Sequence, residues 1–247
     1  MNRNLLVLAF IMFIDMAGIG LIMPVMPSLI GNLGDVGIDR AAEIGGWLLF
    51  SYALMQFLFS PVIGGLSDRF GRRPVLLVTL ALLGVDYAVM AWAPTLAWLF
   101  AGRIVSGIMG ASWAAANSCI ADSIPADRRG AAFGLLGGAG ASGFVLGPAI
   151  GGFIGQFGDR LPFVAAAVMC FIGVGLGLLC FRETLPESKR RAFDFLRANP
   201  FGSIVQMAQV PLVIGCLTAI FSCSSPRNRR FLSGRTMGPR SSAGPPL

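Results

Sequence analysis

Two aspartates and one arginine stand in stretches of sequence that are otherwise apolar. Asp15 lies in Phe13-Ile-Asp15-Met-Ala-Gly18-Ile-Gly20, ahead of Pro24 and Pro27, and Asp86 lies in Gly84-Val-Asp86-Tyr87. Arg103 follows in Leu99-Phe-Ala-Gly-Arg103-Ile-Val-Ser-Gly107. A carboxylate in hydrocarbon is either protonated or paired, and an arginine there is costly unless it faces a polar cavity or an acid. Both states of a buried acid suit the uptake and release of a proton. The plainer alternatives are a neutral acid hydrogen-bonded between helices and an arginine that snorkels to an interface. Arg103 sits about a turn and a half inside its apolar run, and two acids accompany it, which favours a joint role in proton or cation coupling. Gln56, near the middle of another apolar run, is a candidate for lining the same cavity. Asp122, at the end of the Arg103 run, is expected to serve the following loop with Arg128 and Arg129.

The elements that must hold these residues follow from composition. The 247 residues are 55% hydrophobic and 13% charged, with a mean hydropathy of +0.75. Soluble domains carry about 25% charged residues, so this chain is built for a lipid bilayer. Histidine is absent, which removes imidazole catalysis, histidine-ligated metal and histidine proton relays. The cysteines (Cys119, Cys170, Cys180, Cys216, Cys223) form no CxxC or CxH pattern, so neither disulfides nor zinc are expected. No nucleophile–base pair, metal cluster or nucleotide loop is visible, and an enzyme is not expected. The glycine-rich stretch 134–155 lacks the preceding strand and the later ribose acid of a dinucleotide site. A net charge of +7 gives little support to nucleic-acid binding.

Uninterrupted apolar stretches of about 20 residues read as membrane helices. Six occur, at roughly 5–27, 46–66, 75–93, 97–121, 132–155 and 161–181. A seventh, from Ile204 to Phe221, is barely long enough and carries Gln206, Gln209 and Pro211. The first is too long for a cleavable signal, and Met23-Pro24-Val25-Met26-Pro27 is not a small-residue cleavage site. The predicted fold is therefore all-α and polytopic. Residues 1–181 form a six-helix transmembrane half, 182–203 a basic cytoplasmic linker, 204–221 a partial seventh transmembrane segment and 222–247 a disordered basic tail. Loops on one side carry Arg3, then Arg69, Arg72 and Arg73, then Arg128 and Arg129, then the basic residues from Arg182 to Arg197. The other side carries only Arg40 and Arg160, which places the N-terminus in the cytoplasm. The tail holds five arginines and no acid. If the seventh segment spans, that tail lies outside against the charge rule. Two readings are open: a segment that does not insert, or a natural sequence that ends near Phe221 with an out-of-frame remainder, of which the second is favoured.

The most specific pattern is the loop between spans two and three, Gly64-Gly65-Leu66-Ser67-Asp68-Arg69-Phe70-Gly71-Arg72-Arg73-Pro74. Glycine belongs where the chain bends or helices touch. Asp68 falls where it can be held by a helix N-terminus and by arginines. Arginine-rich loops often only set topology, but the full pattern is hard to obtain by chance. It resembles the signature loop of the major facilitator superfamily. That resemblance implies two six-helix halves around a central pathway, with the loop (Gly64, Asp68, Arg69, Gly71, Arg72, Arg73) acting as a cytoplasmic latch during alternating access.

Two further segments resemble the same family. Leu99 to Ala111 resembles its fourth-helix motif, and Gly143-Phe-Val-Leu-Gly147-Pro148-Ala-Ile-Gly151-Gly152 resembles the fifth-helix motif associated with proton-coupled antiporters. Gly143, Gly147, Gly151 and Gly155 recur every fourth residue and form a smooth ridge for a neighbouring helix. Helix packing is their direct physical role, and the antiporter association is resemblance alone. Within the superfamily, the opening Phe13 to Pro27 and the run Ile120-Ala-Asp122 followed by Arg128-Arg129-Gly130-Ala-Ala-Phe-Gly are similar to the tetracycline efflux proteins, over roughly residues 1–221. The resemblance implies export of a tetracycline–divalent metal chelate in exchange for a proton, across a bacterial inner membrane, with no resident cofactor. Asp15 and Asp86 would then handle the proton or cation, Arg103 would balance them, and Gln56 would contact drug. Helices eight to twelve of such a carrier are absent. The expectation is a truncated chain with little or no transport unless it pairs with another half or copy. The alternatives are a non-transporting remnant, an assembly or regulatory partner, or another drug/proton antiporter of the superfamily.

Overall fold

The first apolar run is interrupted where its prolines begin. In the computed structural model, which describes residues 3–191 together with Asn199 and Gly202, helix α1 (Arg3–Ile22) stops just before Pro24. Pro27 then falls in the first turn of a second short helix, α2 (Met26–Gly34), where its missing N–H costs nothing. Asp35 ends α2 in the left-handed region, with φ 48° and its N–H donating to the Gly31 carbonyl. Sequence reading anticipated no separate α2 and began the second span at residue 46. Helix α3 instead runs over Ile38–Phe70, passing Pro61 without breaking.

The fourth expected span is two helices. α5 (Leu96–Met109) closes where the Gly110 N–H donates to the Ser106 carbonyl at 2.8 Å, and α6 (Ser112–Ser123) restarts after Ala111. Between them in the chain and α3 lies α4 (Arg72–Ala91), followed after the break by α7 (Ala126–Gly155) and α8 (Leu161–Cys180). No strand occurs among the described residues. Among the described residues, six stretches are long and apolar enough to cross a membrane: α1, α3, α4, the α5–α6 pair, α7 and α8. The expected seventh span and tail, and residues 192–198, 200, 201 and 203 of the linker, lie outside the described residues.

Lipid removes most of the hydrophobic drive for helix association, so close backbone approach must supply it. The glycine ridge does so. A Cβ on Gly147 would overlap the Gly20 backbone, and one on Gly151 would overlap the Leu21 carbonyl, so α7 lies directly on α1. Gly143 meets the Phe13 carbonyl in the same way, and the Pro148 ring lies against Gly20. Gly152, the last residue of the same motif but not of the ridge, would meet only Pro24, at 3.9 Å. The other large contacts are α4 with α8, α3 with α5 and α1 with α8. Helix α1 is thus the axis of the bundle: 61% of its apolar stretch is buried, against 17% for α3 and 22% for α7.

Candidate functional site

The buried charges converge around the break between α5 and α6. Asp15, in the middle of α1, is 2% exposed, and its Oδ2 accepts a hydrogen bond from the Ser112 hydroxyl at 3.4 Å. Ser112 is the first residue of α6, so the break is what presents it. Asp86 of α4 is also buried, and its Oδ2 has no hydrogen-bond partner. Arg103 of α5 is 2% exposed. Its Nη2 lies 3.5 Å from the Met90 sulfur and its Nε is unpartnered.

The guanidinium carbon of Arg103 stands 6.0 Å from the ring centroids of both Tyr52 and Tyr87. Those ring faces supply part of the stabilisation that a carboxylate would otherwise give. No carboxylate oxygen lies within 4.0 Å of Arg103 among the described residues. Glycines make the room: a Cβ on Gly18 would meet the Tyr87 ring at 2.8 Å, and one on Gly110 the Tyr52 hydroxyl at 2.5 Å. The Tyr87 hydroxyl and the Trp113 Nε1 are buried without partners. The arrangement is a desolvated set of two acids and one cation, close together but not locked into a salt bridge.

Gln56 is tied into this site by structure. Its Nε2 donates to the Gly110 carbonyl at 2.9 Å and to the Tyr52 hydroxyl at 3.3 Å, bracing the break against α3. Beside the cluster lies an apolar cavity of about 350 Å³, lined by Met23, Met26, Ala41, Leu48 and Leu49, with Arg103 as its only charged lining residue. Gln56, Asp15 and Asp86 do not line it.

At the other end of the same helices, the loop residues divide. Arg72 is buried at the centre: its Nη1 is 2.6 Å from the Asp68 carboxylate and donates to the Ser67 hydroxyl, and its Nε donates to Asp122 at 3.1 Å. Arg69 points away, with its guanidinium 5.1 Å from the Phe70 ring, and Arg73 reaches the Leu178 carbonyl of α8 at 2.6 Å. Gly64 would meet only Ala114, at an ordinary 3.7 Å, whereas Gly71 takes a φ of +104° that side chains disfavour. Asp122 does not serve the loop after α6 as expected. Its carboxylate is turned to Arg72, while Arg129 donates instead to the Ile124 and Ala121 carbonyls at the end of α6, and Arg128 pairs with Asp127.

Sequence reasoning missed four residues here. Tyr52, Tyr87 and Met90 gave no signal, because aromatic and apolar side chains are ordinary inside a span. Glu183 was hidden among the charges of the linker, yet its carboxylate accepts from the Arg72 and Arg73 backbone N–H groups at 3.0 and 3.2 Å.

Six stretches long and apolar enough to cross a membrane, with acids and an arginine in their interior and a paired charge cluster at one end, define a multi-pass membrane protein. The chain belongs to the Major Facilitator Superfamily, whose sequence profile matches residues 8–233. It is 42% identical over 220 residues to the class C tetracycline resistance protein of Escherichia coli, a match covering 89% of this chain and 55% of that protein. Quinolone resistance protein NorA of Staphylococcus aureus is 33% identical over 182 residues, covering 73% of this chain and 44% of NorA. The crystal structure of the human organic anion transporter MFSD10 shares the fold, with a TM-score of 0.68 and 24% identity over 79% of this chain and 52% of that one. The chain spans about half the length of the curated relatives it matches.

Proposed function

We propose that this chain forms one six-helix half of a proton-driven drug exporter in a bacterial inner membrane, with its N-terminus and the Asp68 loop on the cytoplasmic side. The cargo is a tetracycline–divalent metal chelate, exchanged for a proton, with the metal carried as part of the substrate. The observation that carries this reading is the burial of Asp15, Asp86 and Arg103 with no acid–guanidinium contact inside 4.0 Å. Acids in that state exchange a proton without dismantling a buried salt bridge, whose rupture would be costly. Asp15 and Asp86 take and release the proton, and Arg103 balances their charge. The similarity to tetracycline resistance proteins supports the drug class, and the arginine excess in the loops supports the orientation.

Carriers of this kind hold substrate between two halves that rock against each other. One half of such a carrier therefore works together with a second half. The sparsely buried α3 and α7, with Trp47, Phe50, Val145 and Phe153 outward, offer faces for that partner and for lipid. The Asp68–Arg72–Asp122 cluster acts as the cytoplasmic gate. The similarity to NorA favours a second reading, exchange of another drug for a proton in the same cluster.

Energised uptake of tetracycline into inverted vesicles carrying this chain tests the proposal. Proton-dependent uptake that Asp15→Asn abolishes is expected when a complementary half is present. No proton-dependent uptake with either a second copy or a complementary half would contradict it.

A further inference from the structure

The segment after α8 is a strap laid across the gate end of the bundle. Phe181 and Leu185 are buried, and the Asn4 side chain donates to the Arg182 carbonyl at 3.3 Å and accepts from the Arg182 N–H at 3.2 Å, tying the strap to α1. The Thr184 hydroxyl lies 3.5 Å from the Cys119 sulfur of α6, and the Arg191 N–H donates to the Asp68 carbonyl at 3.1 Å.

Within this strap one carboxylate collects four backbone donors. Glu183 accepts from Arg72 and Arg73 across the gap, and from Thr184 and Leu185 of its own segment, both at 2.9 Å. The first N–H groups of a helix have no partner within it, and α4 has no side-chain cap from its own Gly71. The third residue of α4 is Pro74, which has no N–H, so Glu183 satisfies the free donors at the first two positions of that turn. A negative charge at this end also complements the helix dipole. Gly71 fits the same arrangement, because a Cβ there would overlap the Glu183 carboxylate.

We propose that Glu183 is the positioning residue of the gate: it fixes the first turn of α4 and thereby keeps Arg72 between Asp68 and Asp122. The inference rests on the gating role proposed above for that loop. Arg72 is held at its backbone by Glu183 and at its side chain by two acids from α3 and α6. Release of Glu183 frees α4, the strap and the cover over Cys119 together, so the strap must lift when the gate opens.

Cys119 reports on the strap, and Cys170 is an internal control. Both are buried, but Cys170 lies between α8 and α4, against Gly84, away from the strap. The experiment is N-ethylmaleimide alkylation of the purified full chain, with the rate at each cysteine read by peptide mass spectrometry. Loss of hydrogen bonds to a charged group should raise local opening by about tenfold or more. We therefore expect Glu183→Ala to raise the Cys119 rate by that factor with Cys170 unchanged. Glu183→Gln, which keeps one accepting oxygen, should show a smaller rise, and Gly71→Ala should reproduce the Ala result by displacing the carboxylate. An unchanged Cys119 rate in Glu183→Ala, or a parallel rise at Cys170 in all three variants, would overturn the inference. The gating reading fails separately, if Asp68→Asn leaves transport by the paired halves unchanged while Cys119 stays protected.

Discussion

Two buried arginines, Arg72 and Arg103, are held in opposite ways. Arg72 is 5% exposed and faces two carboxylates, one hydroxyl and, through its backbone, a third carboxylate. Arg103 is 2% exposed and faces two tyrosine rings and a thioether. The same residue type is thus saturated at the membrane surface and left uncommitted in the interior. A saturated cluster resists rearrangement until several contacts break together. An uncommitted cation beside two acids can accommodate a change in their protonation with little movement. Under the proposed function, the difference separates a part that holds a conformation from a part that takes up and releases a proton.

Substitutions that remove each arginine should break that comparison most visibly. Arg72→Met strips the partner from Asp68 and Asp122, which are partly open to solvent, and should destabilise the chain by somewhat less than the roughly 3–5 kcal/mol of a fully buried pair. Thermal unfolding in detergent reads the loss. Gly147→Val drives side-chain atoms into the Gly20 backbone and should cost about 1–3 kcal/mol by overpacking, in the same assay. Arg103→Met removes only ring and sulfur contacts, so its stability cost should be about 1–2 kcal/mol. Its effect on proton-driven uptake should nevertheless be near-complete loss. Tyr87→Phe is the smallest change: its hydroxyl has no partner, so stability should shift by less than about 1 kcal/mol, or rise. A larger loss there would place an unseen partner on that oxygen and weaken the description of Arg103 as held by ring faces.

Much of this was legible in the residues themselves, for a simple reason. A charge inside an apolar run announces itself, so Asp15, Asp86 and Arg103 could be picked out and the spans counted. The positions that escaped notice lack such contrast. Gly110 and Ala111 divide α5 from α6 inside a run rich in small residues, and nothing local distinguishes a break from a packing glycine. The start of α3 at Ile38 was obscured because its first turns carry Asp39, Arg40 and Glu43, which read as a polar loop, although Arg40 and Glu43 pair along the helix surface. Asp122 and Glu183 were placed with their chain neighbours. Their partners are 50 and 111 residues away, and only the packing of α3, α4, α6 and α8 brings them together. The Asp68 loop was likewise read as one group of four charges, whereas helix geometry turns Arg72 inward and leaves Arg69 outside.

In the proposed exchange, binding of the chelate is coupled to release of a proton from the uncommitted acids around Arg103. Proton release on mixing the purified chain with a tetracycline–magnesium chelate in weakly buffered solution tests it most directly, followed with a pH-sensitive dye. The account predicts release by the wild-type chain, reduced in Asp15→Asn and Asp86→Asn and kept in Asp68→Asn. Chelate binding without proton release, or release that persists in Asp15→Asn/Asp86→Asn together, would contradict it.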